Sequence, residues 1–136
     1  MDEILTAHST KYYLSDRKIM NTVAKVIKNL ACEGYVIIVG RGGVAITRDI
    51  ARSLHVNLEA PLEWRALRTS EKHCLNLEEA KKYTLDIDKK RKQFRDFFEG
   101  KNSDYTRFDI TFNCMTLSPE EIAGVILKAV EIRKFI

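Results

Sequence analysis

Three arginines stand where residue type and spacing suit the binding of phosphate. The turn Gly40-Arg41-Gly42-Gly43 ends an apolar run and precedes a helical pattern. A glycine-rich turn between a strand and a helix lies at the carboxyl edge of a sheet, where open α/β proteins bind ligands. Free N–H groups at a helix start attract anions, and a guanidinium in the turn adds a planar donor fork that matches phosphate. The pattern is neither GxGxxG nor GxxxxGK(S/T). A tight turn whose glycines only supply positive φ is the simpler alternative, but such a turn has no need of Arg41 between them.

The other two arginines lie in Asp88-Lys89-Lys90-Arg91-Lys92-Gln93-Phe94-Arg95. Arg91 and Arg95 are four apart, so they share a helix face and can converge on one polyphosphate. Asp88, three residues before Arg91, is placed to orient it. Arg65 and Arg68 form a similar pair, read most simply as ion-pairing with Glu63 or Glu71 on the surface.

Charge distribution supports an anionic partner for this region. The chain has 136 residues with 23 basic and 19 acidic side chains, a net +4. Residues 81–107 hold nine of the basic residues and five of the acidic ones, so they account for the whole excess. A solvated lysine-rich helix face is the competing explanation. His8, His55 and His73 have no ligand spacing with one another or with Cys32, Cys74 and Cys114, so no metal site is expected. The odd number of cysteines and the lack of a CxxC pair suggest reduced thiols and a cytoplasmic location. No apolar run is long enough for a membrane span.

The elements that must position these arginines can be read from periodicity. Ser15 or Asp16 is expected to cap a helix with Ile19, Met20, Val23, Ile27, Leu30 and Ala31 on one side, ending at Gly34. Tyr35-Val36-Ile37-Ile38-Val39 reads as a strand buried on both faces of a parallel sheet. A helix over Val44–Leu54 and a strand over Val56–Glu59 follow. Ala60-Pro61 opens a helix through Trp64, Leu67 and Arg68. Asn76-Leu77-Glu78-Glu79 is a capping box for a long basic helix reaching about Phe98, followed by a polar loop over Gly100–Arg107. Phe108–Asn113 reads as a third strand, and Ser118-Pro119-Glu120-Glu121 caps a last helix. Trp64 and Phe94, Phe97 and Phe98 read as core. This alternation predicts an α/β layer architecture.

Taken in order, several of these motifs resemble the cytidylate kinase-like family. They are Val36–Gly43, Ala60-Pro61-Leu62-Glu63-Trp64-Arg65, the segment Asp88–Phe98, Phe108–Asn113 and Leu117-Ser118-Pro119-Glu120-Glu121. The resemblance implies a single domain over 1–136 of the P-loop nucleoside-monophosphate kinase type. Its expected form is a three-layer parallel sheet flanked by helices, an incomplete P-loop core, and a helical lid over 76–107. It implies phosphoryl transfer from ATP with Mg2+ to CMP or dCMP. Arg41, with Gly40, Gly42 and Gly43, would bind the acceptor phosphate, and Arg17 would face the same acceptor. Arg91 and Arg95 would be the catalytic lid arginines.

No GxxxxGK(S/T) loop occurs in the 136 residues. The family's first strand, phosphate loop and helix, about 30 residues, would precede Met1. Without the loop's amides and lysine, weak ATP binding and little kinase turnover are expected of this chain alone. The missing strand would be central, leaving apolar edges that promote association into a homo-oligomer. Two alternatives use the same residues: a non-catalytic dimer, or a nucleic-acid-binding module on residues 81–107. The second is disfavoured by the interleaved acids and the lack of a stacking array.

Overall fold

The structure, a computed structural model, describes residues 2–50, 52–99 and 107–136, with side chains from Arg17 onward. They form two compact units, Met1–Ile50 and Ala51–Ile136.

The first unit is helical. Helix α1 runs Asp2–Glu33 without interruption, so the expected cap at Ser15 or Asp16 is not a helix start. It ends where expected, with Gly34 at φ 82° and its N–H bonded to the Leu30 carbonyl at 3.2 Å. Helix α2, Gly43–Thr47, packs on α1 and buries Ile46 and Thr47. It stops seven residues short of the expected Leu54. Its β-branched Val44, Ile46 and Thr47 are weak helix formers, and the Thr47 hydroxyl donates back to the Gly43 carbonyl at 2.8 Å.

Residues 35–39 correct the sequence reading most sharply. They form no strand, and Tyr35, Ile37 and Val39 are 98%, 92% and 85% exposed rather than buried. The physical reason is pairing. Strand propensity becomes a strand only when a neighbour takes the backbone hydrogen bonds, and no described residue does so here.

The second unit carries the sheet. Strand β1, Val56–Glu59, has the expected bounds, and β2, Ile110–Asn113, starts two residues later than expected. They pair in parallel, Val56 opposite Ile110 and Glu59 opposite Asn113. Parallel neighbours need a long crossover, which here contains α3, Leu62–His73, and α4, Leu77–Glu99. Pro61 stands just before α3, as its missing N–H favours. At the start of α4 the Asn76 side chain accepts from the Glu79 N–H at 2.9 Å, and the Glu79 carboxylate accepts from the Asn76 N–H at 3.2 Å.

Helix α5, Pro119–Ile132, begins with the expected capping box of Ser118 and Glu121 and buries Ile122. Val125 on the same helix is about half exposed. The end of the chain is tied to this unit by Arg52, which donates to the Lys134 carbonyl at 2.6 Å, and by Arg133, 3.7 Å from Asp109. The core is small: Ala66, Ala80, Phe112 and Ile122 are its buried apolar members in this unit.

Candidate functional site

Helices α3 and α4 pack together, and α4 carries Arg91 and Arg95. Ala66 and Ala80 are fully buried, and alanines at a helix contact let two backbones approach closely. Polar links then fix the register. Arg65 donates from Nη1 and Nη2 to the two Asp88 carboxylate oxygens, both at 2.8 Å, and from Nε to the Ala60 carbonyl at 3.0 Å. The Asp88 hydrogen bond raises the Arg65 pKa against the opposing effect of partial burial. Lys81 reaches Glu63 at 2.5 Å, and this bond raises the Lys81 pKa. The Thr84 hydroxyl bonds the Ala80 carbonyl at 2.8 Å and the Thr69 hydroxyl at 3.3 Å.

Two sequence expectations change here. Asp88 is held by Arg65 and does not orient Arg91. Arg65 reaches across to α4 instead of pairing with Glu63 or Glu71, while Arg68 lies over the Trp64 ring at 4.3 Å. Sequence reasoning missed the Arg65–Asp88 bond because its partners are 23 residues apart, beyond any helical spacing. The one available signal was that both residues fall in the motif segments.

The same geometry sorts the basic residues of α4. Lys90 is paired with Asp86 at 2.8 Å, and Lys92 with Asp96 at 3.1 Å. Asp86 is correspondingly lowered in pKa by its bond from Lys90. Arg91 and Arg95 are exposed and carry no ion pair among the described residues. They lie one turn apart on α4. Arg91 also borders a groove of about 290 Å³ between α3 and α4, beside Tyr83, His73 and Thr69. The neighbouring aromatic cluster, Phe94, Phe97 and Phe98, is held by edge contacts of 5.3 and 5.0 Å, and Phe97 is 42% exposed. The part of the expected lid at residues 100–106, including Lys101, lies outside the described residues.

The remaining candidates belong to the first unit. Gly40, Arg41 and Gly42 have φ of 70°, 54° and 66°, three successive left-handed residues. The turn closes through the Gly43 N–H on the Gly40 carbonyl at 2.9 Å. A Cβ at Gly43 would stand 3.0 Å from the Ile38 side chain, so close approach fixes that glycine. Arg41 is exposed, and its left-handed backbone costs about 1 kcal/mol in a non-glycine residue. With only five residues, α2 contributes little dipole, which leaves Arg41 as the charged group of this turn. Arg17 is exposed on α1.

No group of three or more His, Cys, Asp or Glu side chains converges among the described residues. The donors present are guanidinium groups, which fit phosphate oxygens and not a cation. No helix among the described residues is long and apolar enough to cross a membrane.

A parallel β-strand pair with a helical crossover makes this a helix-rich α/β protein. The chain belongs to the cytidylate kinase-like family, whose model matches residues 1–116. No curated protein matches the chain significantly.

Proposed function

We propose that this chain binds a nucleoside monophosphate such as CMP or dCMP as a kinase-like phosphoryl-transfer protein. In this reading residues 1–136 are one domain of the three-layer type, and residues 76–107 act as its lid. Arg41, held by Gly40, Gly42 and Gly43, grips the acceptor phosphate with its donor fork, and Arg17 faces the same acceptor. Arg91 and Arg95 hold the phosphate being transferred. ATP carrying Mg2+ is the donor in this reading, and it supplies the phosphoryl group.

The chemistry suits arginine. Phosphoryl transfer asks the protein mainly for positioning and for neutralisation of oxygen charge. Guanidinium groups donate two parallel hydrogen bonds without changing protonation state. The reading rests chiefly on the contrast along α4: Lys90 and Lys92 are neutralised by their own carboxylates, Asp88 is taken by Arg65, and Arg91 and Arg95 remain available.

Without a GxxxxGK(S/T) loop in the 136 residues, the donor's β- and γ-phosphates lack their usual cradle. The chain alone is therefore expected to bind CMP measurably, ATP weakly, and to turn over little. Calorimetric titration with CMP, dCMP and ATP tests this, alongside a coupled assay for CMP-dependent ADP formation. Binding of CMP that is lost in Arg41→Ala supports the reading. Equal indifference to all three nucleotides overturns it, and rapid ADP formation overturns the expectation of low turnover.

A further inference from the structure

Helices α3 and α4 border a groove of about 290 Å³ whose two walls repeat every four residues. Arg65, Thr69 and His73 line it from α3, and Tyr83, Ile87 and Arg91 from α4. Three cross-contacts run the helices antiparallel along it: Arg65 to Asp88, Thr69 to Thr84, and His73 to Tyr83. The groove therefore has two unlike ends. At one, the His73 and Tyr83 rings stand 5.4 Å apart at 46°, and both residues are exposed. At the other stands Arg91, exposed and without an ion pair among the described residues.

Between these ends the groove is neutral. Arg65 and Asp88 satisfy each other through two hydrogen bonds of 2.8 Å. The Thr84 hydroxyl donates to the Ala80 carbonyl and meets the Thr69 hydroxyl at 3.3 Å, and Ile87 adds an apolar wall. What remains to be matched is a pair of ring surfaces and one guanidinium. Aromatic rings pack well on tilted partners, and the arginine fork matches phosphate oxygens. Tyr83 and Arg91 are eight residues apart, about 12 Å along the helix axis. Helical side chains lean the same way, so that separation is kept at their tips. A ligand that uses both ends needs a flat ring and an anion held apart by a spacer, as a pentose holds them. We propose that the α3–α4 groove binds a nucleoside monophosphate, its base against His73 and Tyr83 and its phosphate on Arg91. The site uses none of residues 40–43, so it goes beyond the acceptor role proposed for Arg41. Arg91 serves both, and a nucleotide in the groove withdraws it from phosphoryl transfer; that consequence alone rests on the kinase-like reading.

Proton NMR of the full chain tests the site, because the sequence has only three histidines. The His73 ring signals are identified by their loss in His73→Gln. CMP and AMP should both move these signals in a saturable titration and leave those of His55 in place, since stacking tolerates either base. Cytidine and ribose 5-phosphate, which carry one half of the ligand each, should bind about tenfold more weakly or worse. Tyr83→Leu should weaken AMP binding about three- to tenfold and Arg91→Ala about tenfold. Both residues are exposed, so the two variants should keep the wild-type circular dichroism. Arg41→Ala should leave the His73 shifts unchanged, and that result supports the groove even where the acceptor role of Arg41 fails. His73 signals that never move, or that move equally with ribose 5-phosphate alone, overturn the proposal. So do shifts abolished by Arg41→Ala, or AMP binding indifferent to both Tyr83→Leu and Arg91→Ala.

Discussion

Arg65 and Asp88 meet in a two-bond pair, Nη1 to Oδ1 and Nη2 to Oδ2 at 2.8 Å each, which locks α3 to α4 across 23 residues of sequence. Their side chains are 32% and 36% exposed, so solvent screens part of the attraction. The bidentate geometry and the further Arg65 bond to Ala60 favour a measurable coupling. A double-mutant cycle of Arg65→Ala and Asp88→Ala should return about 1 kcal/mol in thermal or urea unfolding. Strict additivity of the two substitutions would show that the pair is only a contact of convenience.

The same platform predicts a separation of stability from binding. Arg91 and Arg95 make no ion pair among the described residues, so Arg91→Ala and Arg95→Ala should leave unfolding unchanged within about 0.5 kcal/mol. Under the nucleotide reading, each should weaken affinity for a nucleotide phosphate about tenfold, as expected for loss of a charge-assisted bond. Lys90→Ala, whose charge is matched by Asp86, should change nucleotide affinity far less. Equal losses for all three variants would point to diffuse charge instead of two specific contacts.

Acid should loosen the start of α5. The Ser118 N–H and then its hydroxyl bond the Glu121 carboxyl and hold its pKa below the ordinary glutamate range. A lowered folded-state pKa means that this stabilisation is fully present above the ordinary glutamate pKa. It is lost as pH falls through the folded value. Asp86, lowered by its bond from Lys90, acts in the same direction. Melting temperature should therefore drop on the acid side, and Glu121→Gln should flatten part of that drop. An unchanged acid limb in Glu121→Gln would remove the box from the account.

Local signals proved readable in the sequence where the physics is local. The caps at Asn76–Glu79 and Ser118–Glu121 depend on residues three apart, and both form as expected. Val56–Glu59 was bounded by its own pattern and has its pairing partner in β2. What could not be read was pairing at a distance. The Asp88 partner lies on another helix, and Tyr35–Val39 has strand composition but no neighbour among the described residues to make it a strand. The four-residue spacing of Arg91 and Arg95 places them on one helix face. Spacing does not reveal that the nearby carboxylates go to Lys90 and Lys92, leaving both arginines without an ion pair among the described residues.

At Arg41 stability and binding should separate. Its φ of 54° lies between glycines at 70° and 66°, a run in which every residue is left-handed. Gly40→Ala has open space around the new Cβ, so its cost should be the backbone strain alone, about 1 kcal/mol. Arg41→Gly removes the same strain but gives the unfolded chain more freedom, an entropic cost of similar size. Stability of Arg41→Gly should therefore match wild type within about 0.5 kcal/mol, while binding of CMP should fall. Arg41→Lys keeps both charge and strain but loses the planar fork, so it should restore only part of the affinity. If Arg41→Gly bound CMP as well as wild type, the strained residue would be a feature of the turn and not a contact to phosphate.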